Sequence, residues 1–207
     1  MSAADPNDVQ VEEVAAQEIP AVLPVLPLRD TVVFPDTMIP LTIGQERSIK
    51  LIDDVLAGDR LLAMVTSKDA EIETPGPDLL YPVGTVGLAH KMIKLPDGTM
   101  RILVQGLQRV RVKEYVREEP YLVARTEKIE DVAKESRESE ALRASLLSVF
   151  SKIVALVPYL PEELEMAAAN VDEPGPLTFL IASTMRIKAE DKQALLEEDD
   201  VEQRMRK

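Results

Sequence analysis

One hairpin pattern constrains the fold of this chain more than any other stretch. Residues Pro82 to Val112 read as two extended segments joined by the turn Pro96-Asp97-Gly98-Thr99. An Asp-Gly pair accepts the positive φ angles of hairpin turns, and β-branched residues lie on both sides of it. We therefore predict an antiparallel hairpin, in whose second segment a short apolar run, Arg101 to Gln105, ends at Gly106. Basic and apolar residues then alternate from Arg109 to Lys113, which predicts a strand with one wet face and one buried face.

The rest of the first 129 residues is predicted to form short strands and one helix. Prolines at positions 20, 24, 27, 35 and 40 interrupt a run of Val, Leu and Ile, and proline removes the donors that a sheet needs. Apolar residues at helical spacing, ending at Gly58, predict a helix of about three turns. Arg60 to Thr66 reads as a buried strand, and Pro120 to Arg125 as the last one. About six short strands closing near Ile129 predict a compact β barrel or sandwich.

The composition changes at residues 130–140, a charged boundary, and helical periodicity follows. Apolar residues from Leu142 to Leu156 recur every three or four positions, so we predict a long amphipathic helix that Pro158 stops. Further prolines at 161, 174 and 176 predict the starts of two more helices. Ala189 to Lys207 is predicted to be one helix that continues in a longer protein. The predicted organisation is α+β: a disordered acidic leader (1–19), a β domain (20–129) and a helical bundle (130–207) with a truncated last helix.

Charge and cysteine content exclude several classes of function. The net charge of -13 disfavours nucleic-acid binding, because affinity for phosphate backbones comes mainly from clustered Lys and Arg. The sequence has no Cys, so it has no disulfides, thiol nucleophiles or zinc-thiolate sites. No apolar run reaches the length of a membrane span, and the acidic start does not resemble a signal peptide. We therefore expect a cytoplasmic protein without nucleic-acid or membrane partners.

Catalytic and metal sites are weakly indicated. Ser151-Lys152 and Ser183 with Lys188 are chance neighbours in Ser- and Lys-rich helices, because nucleophile activation also needs a positioned base and oxyanion donors. His90 is the only histidine and has no metal-binding pattern around it. The glycines match no phosphate-binding fingerprint, and the acidic runs at 162–163 and 197–200 read as solvated helix faces. We expect no catalytic residue, no metal and no cofactor in this chain.

Several motifs in a specific order resemble one known family. They are LPVLPLRDTVVFP from Leu23, IPLTIG from Ile39, VGTVGLAHKMIKLPDGTMRILVQGLQRVRV from Val83 and YLVA from Tyr121. Together they closely resemble the amino-terminal domain of Lon, the ATP-dependent protease. The resemblance extends from Leu23 to Lys207 and leaves out only the acidic leader.

The resemblance implies a fold and a role. It implies a small PUA-like β domain, followed by a helical bundle whose last helix leads into an ATPase module. In Lon proteins this region is not catalytic; it engages unfolded or damaged proteins and helps to hold a homo-hexamer together. ATP, Mg²⁺ and the catalytic Ser-Lys dyad belong to later modules, and the 207 residues contain no Walker motif. This fragment is therefore expected to be a non-enzymatic part of an ATP-dependent serine endopeptidase.

A receptor for unfolded chains needs adaptable exposed apolar surface, since its ligands share hydrophobicity and not sequence. Apolar residues near turns and helix breaks are the candidates for substrate binding: Met38, Ile39, Pro40, Met92, Leu95, Met100, Pro158, Tyr159 and Leu160. For each of them the alternative is packing between the two halves of the chain. A second candidate function is an oligomerisation and positioning module that contacts only neighbouring subunits.

Overall fold

The computed structural model describes residues 18–207, so the predicted disordered leader lies almost wholly outside the described residues. The chain is α+β, as predicted, with strands in its first part and helices in its second. In chain order the elements are β1 (Val22–Leu28), β2 (Met38–Ile43), α1 (Glu46–Ala57), β3 (Leu61–Thr66), β4 (Val83–Lys94), β5 (Met100–Arg117), β6 (Val123–Lys128), α2 (Arg137–Leu156), α3 (Glu163–Ala169), α4 (Pro174–Thr184), α5 (Ala189–Glu197) and α6 (Val201–Arg206).

Five of the six strands pair into a closed ring, and β2 pairs with β5 alone. The order across the sheet is β2-β5-β4-β3-β1-β6, and β6 also pairs with β5. Only β1 and β3 run parallel; the other pairs are antiparallel. Every residue of β3 is buried, because the strand has apolar clusters on both of its faces. The continuous apolar run in this segment therefore predicted a buried strand correctly.

The predicted hairpin is present, and its second strand extends a few residues beyond Val112. Gly98 has φ of 85°, and the Asp97 carboxylate accepts hydrogen bonds from the Thr99 hydroxyl (2.7 Å) and amide (2.9 Å). These bonds lower the pKa of Asp97. β5 then runs for 18 residues, through Gly106 and on to Arg117. A long strand can pair with three neighbours, and β5 pairs with β2, β4 and β6.

The first helix covers one side of the sheet. α1 ends at Ala57 and Gly58 follows it, as the spacing of apolar residues predicted. Leu51, Ile52 and Val55 lie on its buried face and join an apolar cluster with strand residues. The helix has the apolar stripe on one face and charged residues on the other that a surface helix requires.

The helices of the second part build a core of their own. Ser136 caps the start of α2: its hydroxyl accepts a hydrogen bond from the Ser139 amide at 3.0 Å, and the helix ends before Pro158 as predicted. Phe150 and Val154 of α2 pack with Leu177 of α4, in an apolar cluster that contains no strand residue. None of the helices in residues 18–207 combines the length and the apolar character needed to cross a bilayer.

The last segment is two short helices, and not the single helix that its periodicity predicted. The break lies between α5 and α6, where the carbonyl oxygens of Leu196 and Glu198 accept hydrogen bonds from buried arginines. The backbone of Val132 runs alongside: its amide donates to the Asp199 carbonyl at 2.8 Å, and its carbonyl accepts from the Val201 amide at 3.1 Å. The acidic run at 197–200 is therefore half-buried in the structure, and the reading of it as a solvated helix face was wrong.

A buried ionic cluster joins the sheet to these last helices. Arg109 of β5 donates to Asp131 at 2.6 Å and to Asp199 at 3.0 Å. Arg204 of α6 donates to the same Asp131 carboxylate through two nitrogens, at 2.6 and 2.9 Å. Both guanidinium groups lie over the ring of Phe179, Arg204 at 4.2 Å and Arg109 at 5.8 Å from its centroid. Each buried guanidinium group has at least one carboxylate partner, so neither arginine is left as an unpaired charge in the protein interior.

Candidate functional site

Strand register decides which of the predicted substrate-binding residues face solvent. β2 and β4 flank β5, so that Leu41, Ile102 and Met92 lie side by side across three strands. Alternate residues of a strand point to opposite faces, and these three point toward α1. Ile39 and Met92 are therefore half-buried against the core beneath α1, and Leu95 is half-buried at the turn.

Two candidate residues are buried and cannot serve as exposed contacts. Met100 is 1% exposed and lies opposite Ile43 in the cluster beneath α1. Leu160 is 6% exposed and lies in the core of the helical part. Neither residue packs between the two halves of the chain, which was the alternative to binding. Proximity to a turn does not expose a side chain when the register points it inward.

The outward face of the same three strands carries exposed apolar side chains. Met38 is 54% exposed and Ile93 is 63% exposed, while Pro40 lies directly opposite the half-buried Leu103. We call Met38, Pro40, Ile93 and Leu103 the outer sheet face. Ile93 and Leu103 were missed by the sequence-based choice of residues. Adjacent residues of a strand point to opposite faces of the sheet, so applying this alternation to β4 would have predicted that Ile93 and Met92 face in opposite directions.

The helical part exposes a different set of apolar side chains. Pro158 is exposed, and Tyr159 is partly covered by the guanidinium of Arg186, which lies 4.0 Å from its ring centroid. Leu156 is 81% exposed and Met166 is 70% exposed, and the sequence-based choice included neither. The exposed residues belong to α2, α3 and the turn between them, whereas the outer sheet face belongs to strands.

A cavity of about 280 Å³ lies where the first part of the chain meets the helices. Residues of the β1–β2 connection and the start of β2, including Met38 and Ile39, line one side. Ser183, Ile187 and Lys192 line the other side. We call this space the junction cavity. Burial lowers the pKa of Lys192, because the ammonium group is partly removed from water.

The serine and lysine pairs of the sequence do not form catalytic pairs in the structure. The Ser151 hydroxyl donates to the Glu165 carboxylate, and the Ser183 hydroxyl donates to the Leu180 carbonyl, both at 2.7 Å. A ring nitrogen of His90 lies 3.0 Å from the amide oxygen of Gln105. Among residues 18–207, no three His, Asp or Glu side chains come together as a metal site would require.

Comparison with known proteins identifies the family. A family model described as the ATP-dependent protease La (LON) substrate-binding domain matches residues 22–207. The chain belongs to this family. Lon protease of Dictyoglomus thermophilum is 44% identical over 191 residues, which are 92% of this chain and 24% of that protein. Lon protease of Trichlorobacter lovleyi is 41% identical over 204 residues, 98% of this chain and 25% of that protein. The chain thus spans about a quarter of the length of these Lon relatives.

Solved structures support the same fold. The N-terminal domain of Mycobacterium avium complex Lon protease superposes with a TM-score of 0.73 at 19% identity, over 89% of this chain and 94% of that one. The Lon N-terminal domain protein from Xanthomonas campestris gives a TM-score of 0.64 at 20% identity, over 89% of this chain and 95% of that one. The arrangement of strands and helices is therefore that of an N-terminal Lon domain, as the motifs predicted.

Proposed function

We propose that this chain is the non-catalytic, substrate-engaging region of a Lon-type protease, and that it captures exposed apolar segments of unfolded or damaged proteins. The captured chain would pass to ATPase and protease modules elsewhere in a cytoplasmic homo-hexamer. In this proposal residues 20–129 form a PUA-like β domain and residues 130–207 a helical bundle that links it to those modules. The family description names the substrate-binding domain of a protease, and the substrates of a protease are proteins.

The observation that carries the proposal is the outer sheet face. It presents a flexible Met38 beside a rigid Pro40, with Ile93 exposed near the end of the hairpin. Unbranched methionine side chains adapt to varied apolar partners, as a receptor without sequence preference requires. Each contact would be weak, and several copies in one assembly would raise the effective affinity.

A binding comparison tests the proposal. The chain is titrated with a permanently unfolded protein and, separately, with the same protein in its folded form. Binding of the unfolded form alone is expected, because only that form exposes continuous apolar segments. Equal binding of both forms, or of neither, would contradict a receptor role.

Point variants then locate the binding surface. Ile93→Ser and Met38→Ser should each weaken binding of the unfolded protein about three- to tenfold, since each removes one exposed apolar contact. Val132→Ser is the matched control, because Val132 is equally exposed but lies in the connection before α2. A loss of affinity in the control as large as in Ile93→Ser would show that the outer sheet face has no special part in binding.

A second candidate function is contact between subunits. The exposed side chains Leu156 and Met166 favour it, because burying them against a neighbouring subunit would remove apolar surface from water. Leu156→Ser with Met166→Ser in the full-length protein should weaken assembly and leave binding of unfolded protein intact. Intact assembly in this double variant would remove the support for this second function.

A further inference from the structure

The junction cavity combines apolar walls with one cationic group. Met38 of β2 and Ile187 of the helical part both line it. The hydroxyl groups in its lining are already engaged within the protein. Thr37 donates to the Phe34 carbonyl and Ser183 to the Leu180 carbonyl, at 2.6 and 2.7 Å. The charged donor of Lys192 is therefore the group in this cavity that a ligand can still engage.

Lys192 is half-buried and forms no ion pair with a carboxylate of residues 18–207. Asp30 is the one carboxylate of the described residues that lines the cavity; it is exposed to solvent and lies 3.4 Å from the Thr31 hydroxyl. An ammonium group that has lost water without gaining a protein partner attracts an anion more strongly than a fully solvated lysine does. The acidic surface of this chain, which carries a net charge of -13, makes such a position unusual.

The size of the cavity restricts what can enter. Pockets for small ligands commonly measure about 300–1,000 Å³, and this cavity lies at the lower end with about 280 Å³. A cavity of this size favours the end of a chain over a long extended segment. A C-terminal residue carries its carboxylate and its side chain on the same carbon atom. An apolar last residue would therefore contact Met38 and Ile187 while its carboxylate reaches Lys192.

We propose that the junction cavity binds the C-terminal carboxylate of a protein whose last residue is apolar, with Lys192 as the carboxylate-binding group. The inference rests on the proposed receptor function and adds a class of substrate to it. It also gives Met38 two contact surfaces, since this residue belongs both to the outer sheet face and to the cavity lining.

Three fluorescent peptides of one apolar sequence ending in Leu test the inference. One has a free C-terminal carboxylate and one a C-terminal amide. The third has the amide and a Glu side chain as its only carboxylate. Fluorescence anisotropy should show that the chain binds the free-carboxylate peptide about tenfold more tightly than either amide, the effect of one charge-assisted contact.

Lys192→Met should bind the free acid and the amide equally, because it removes the ammonium group that distinguishes them. The variant keeps an unbranched side chain of similar length, so the packing of the cavity is preserved. Lys188→Met is the matched control; Lys188 is exposed, lies one turn earlier and should retain the preference. Far-UV circular dichroism establishes that both variants fold.

Equal binding of acid and amide by the unmodified chain would overturn the inference, and so would a preference that survives in Lys192→Met. Tight binding of the Glu-containing amide would overturn the assignment to a chain end. If unfolded protein binds while the acid and the amide do not differ, only this inference fails. If neither unfolded protein nor any peptide binds, the receptor function fails as well.

Discussion

Gly106 shows how one residue permits the long central strand. It lies in the middle of β5, where the backbone of the β1–β2 connection crosses the strand: its amide donates to the Thr37 carbonyl at 2.8 Å, and its carbonyl accepts from the Asp36 amide at 2.9 Å. A Cβ atom at this position would fall well inside van der Waals contact of the Phe34 carbonyl oxygen. Glycine is needed here for close backbone approach, and the strand does not end at it.

Replacing Gly106 by Ala should lower the free energy of unfolding by about 1–3 kcal/mol, because backbone atoms must move to admit the methyl group. Gly76→Ala is the control: Gly76 is extended, with φ of -79° and ψ of 176°, and a Cβ there meets nothing within 4 Å. The control should change stability by less than about 0.5 kcal/mol. Urea denaturation measures both, and equal effects would contradict the close approach at Gly106.

Tyr115 of β5 provides a pH-dependent prediction. Its hydroxyl is buried without a hydrogen-bond partner in residues 18–207, and burial raises the pKa of Tyr115 to about 12. The unfolded chain, with a pKa of about 10, loses the phenolic proton first as the pH rises. The contribution to stability is thus complete below about pH 10 and is lost between about pH 10 and about pH 12.

Tyr115→Phe should therefore lose less stability over this alkaline interval than the unmodified chain, by up to about 2 kcal/mol. At neutral pH the variant should be as stable or slightly more stable, because it removes an unpaired buried hydroxyl. Urea unfolding at a series of pH values measures the difference. Parallel pH profiles for the two proteins would contradict the raised pKa.

At the scale of elements, the ionic cluster determines where the last helix breaks. Arg204 donates to the Glu198 carbonyl at 2.6 and 3.0 Å, and Arg109 donates to the Leu196 carbonyl at 2.8 Å. Carbonyl groups at a helix end need donors, and side chains from another element supply them here. The backbone therefore turns between α5 and α6 although the apolar spacing would allow one helix.

Asp131→Ala should destabilise the chain by about 3 kcal/mol, because it leaves two buried guanidinium groups without their shared carboxylate. The neighbouring Glu130 is exposed, and its ion pair with Lys128 is long, at 3.9 Å. Glu130→Ala should therefore lower the free energy of unfolding by less than about 0.5 kcal/mol. Thermal and urea unfolding provide the measurement. A loss of under about 1 kcal/mol for Asp131→Ala would show that other donors and acceptors hold this region.

At the scale of the whole molecule, the sheet packs directly against the helices of the second part. The rings of Phe34 and Phe179 stack with centroids 5.5 Å apart. Gln193 of α5 donates to the Val83 carbonyl of β4 at 2.9 Å. Val83 and Ile129 join helical residues in one apolar cluster. The proposed boundary near residue 130 therefore divides the sequence at a position where the two parts are packed together.

Native-state hydrogen exchange should show that the two parts open together. Amides in the middle of β5 and in α4 should exchange with the same opening free energy, because the ionic cluster and the Phe34–Phe179 contact connect them. In Asp131→Ala the two values should fall together. Exchange of α4 through a separate opening of lower free energy would instead show that the helical part unfolds independently.

The sequence alone determined the features that depend on local backbone preference. Asp97-Gly98 fixed the hairpin, Gly58 and Pro158 fixed two helix ends, and the apolar run before Thr66 fixed a buried strand. Each of these elements depends on residues close together in the chain, so the local pattern carries the whole signal. The order of motifs along the chain also identified the family.

Only the tertiary structure decided which apolar residues face solvent and where the final helix breaks. Met92 and Ile93 are adjacent in sequence and chemically alike, and the register of β4 against β5 puts one inside and the other outside. The break after Glu197 depends on Arg109, which lies 87 residues before the Leu196 carbonyl that it contacts. Hydrogen bonds and burial arise between elements that are distant in sequence, and a local pattern contains no information about the partner.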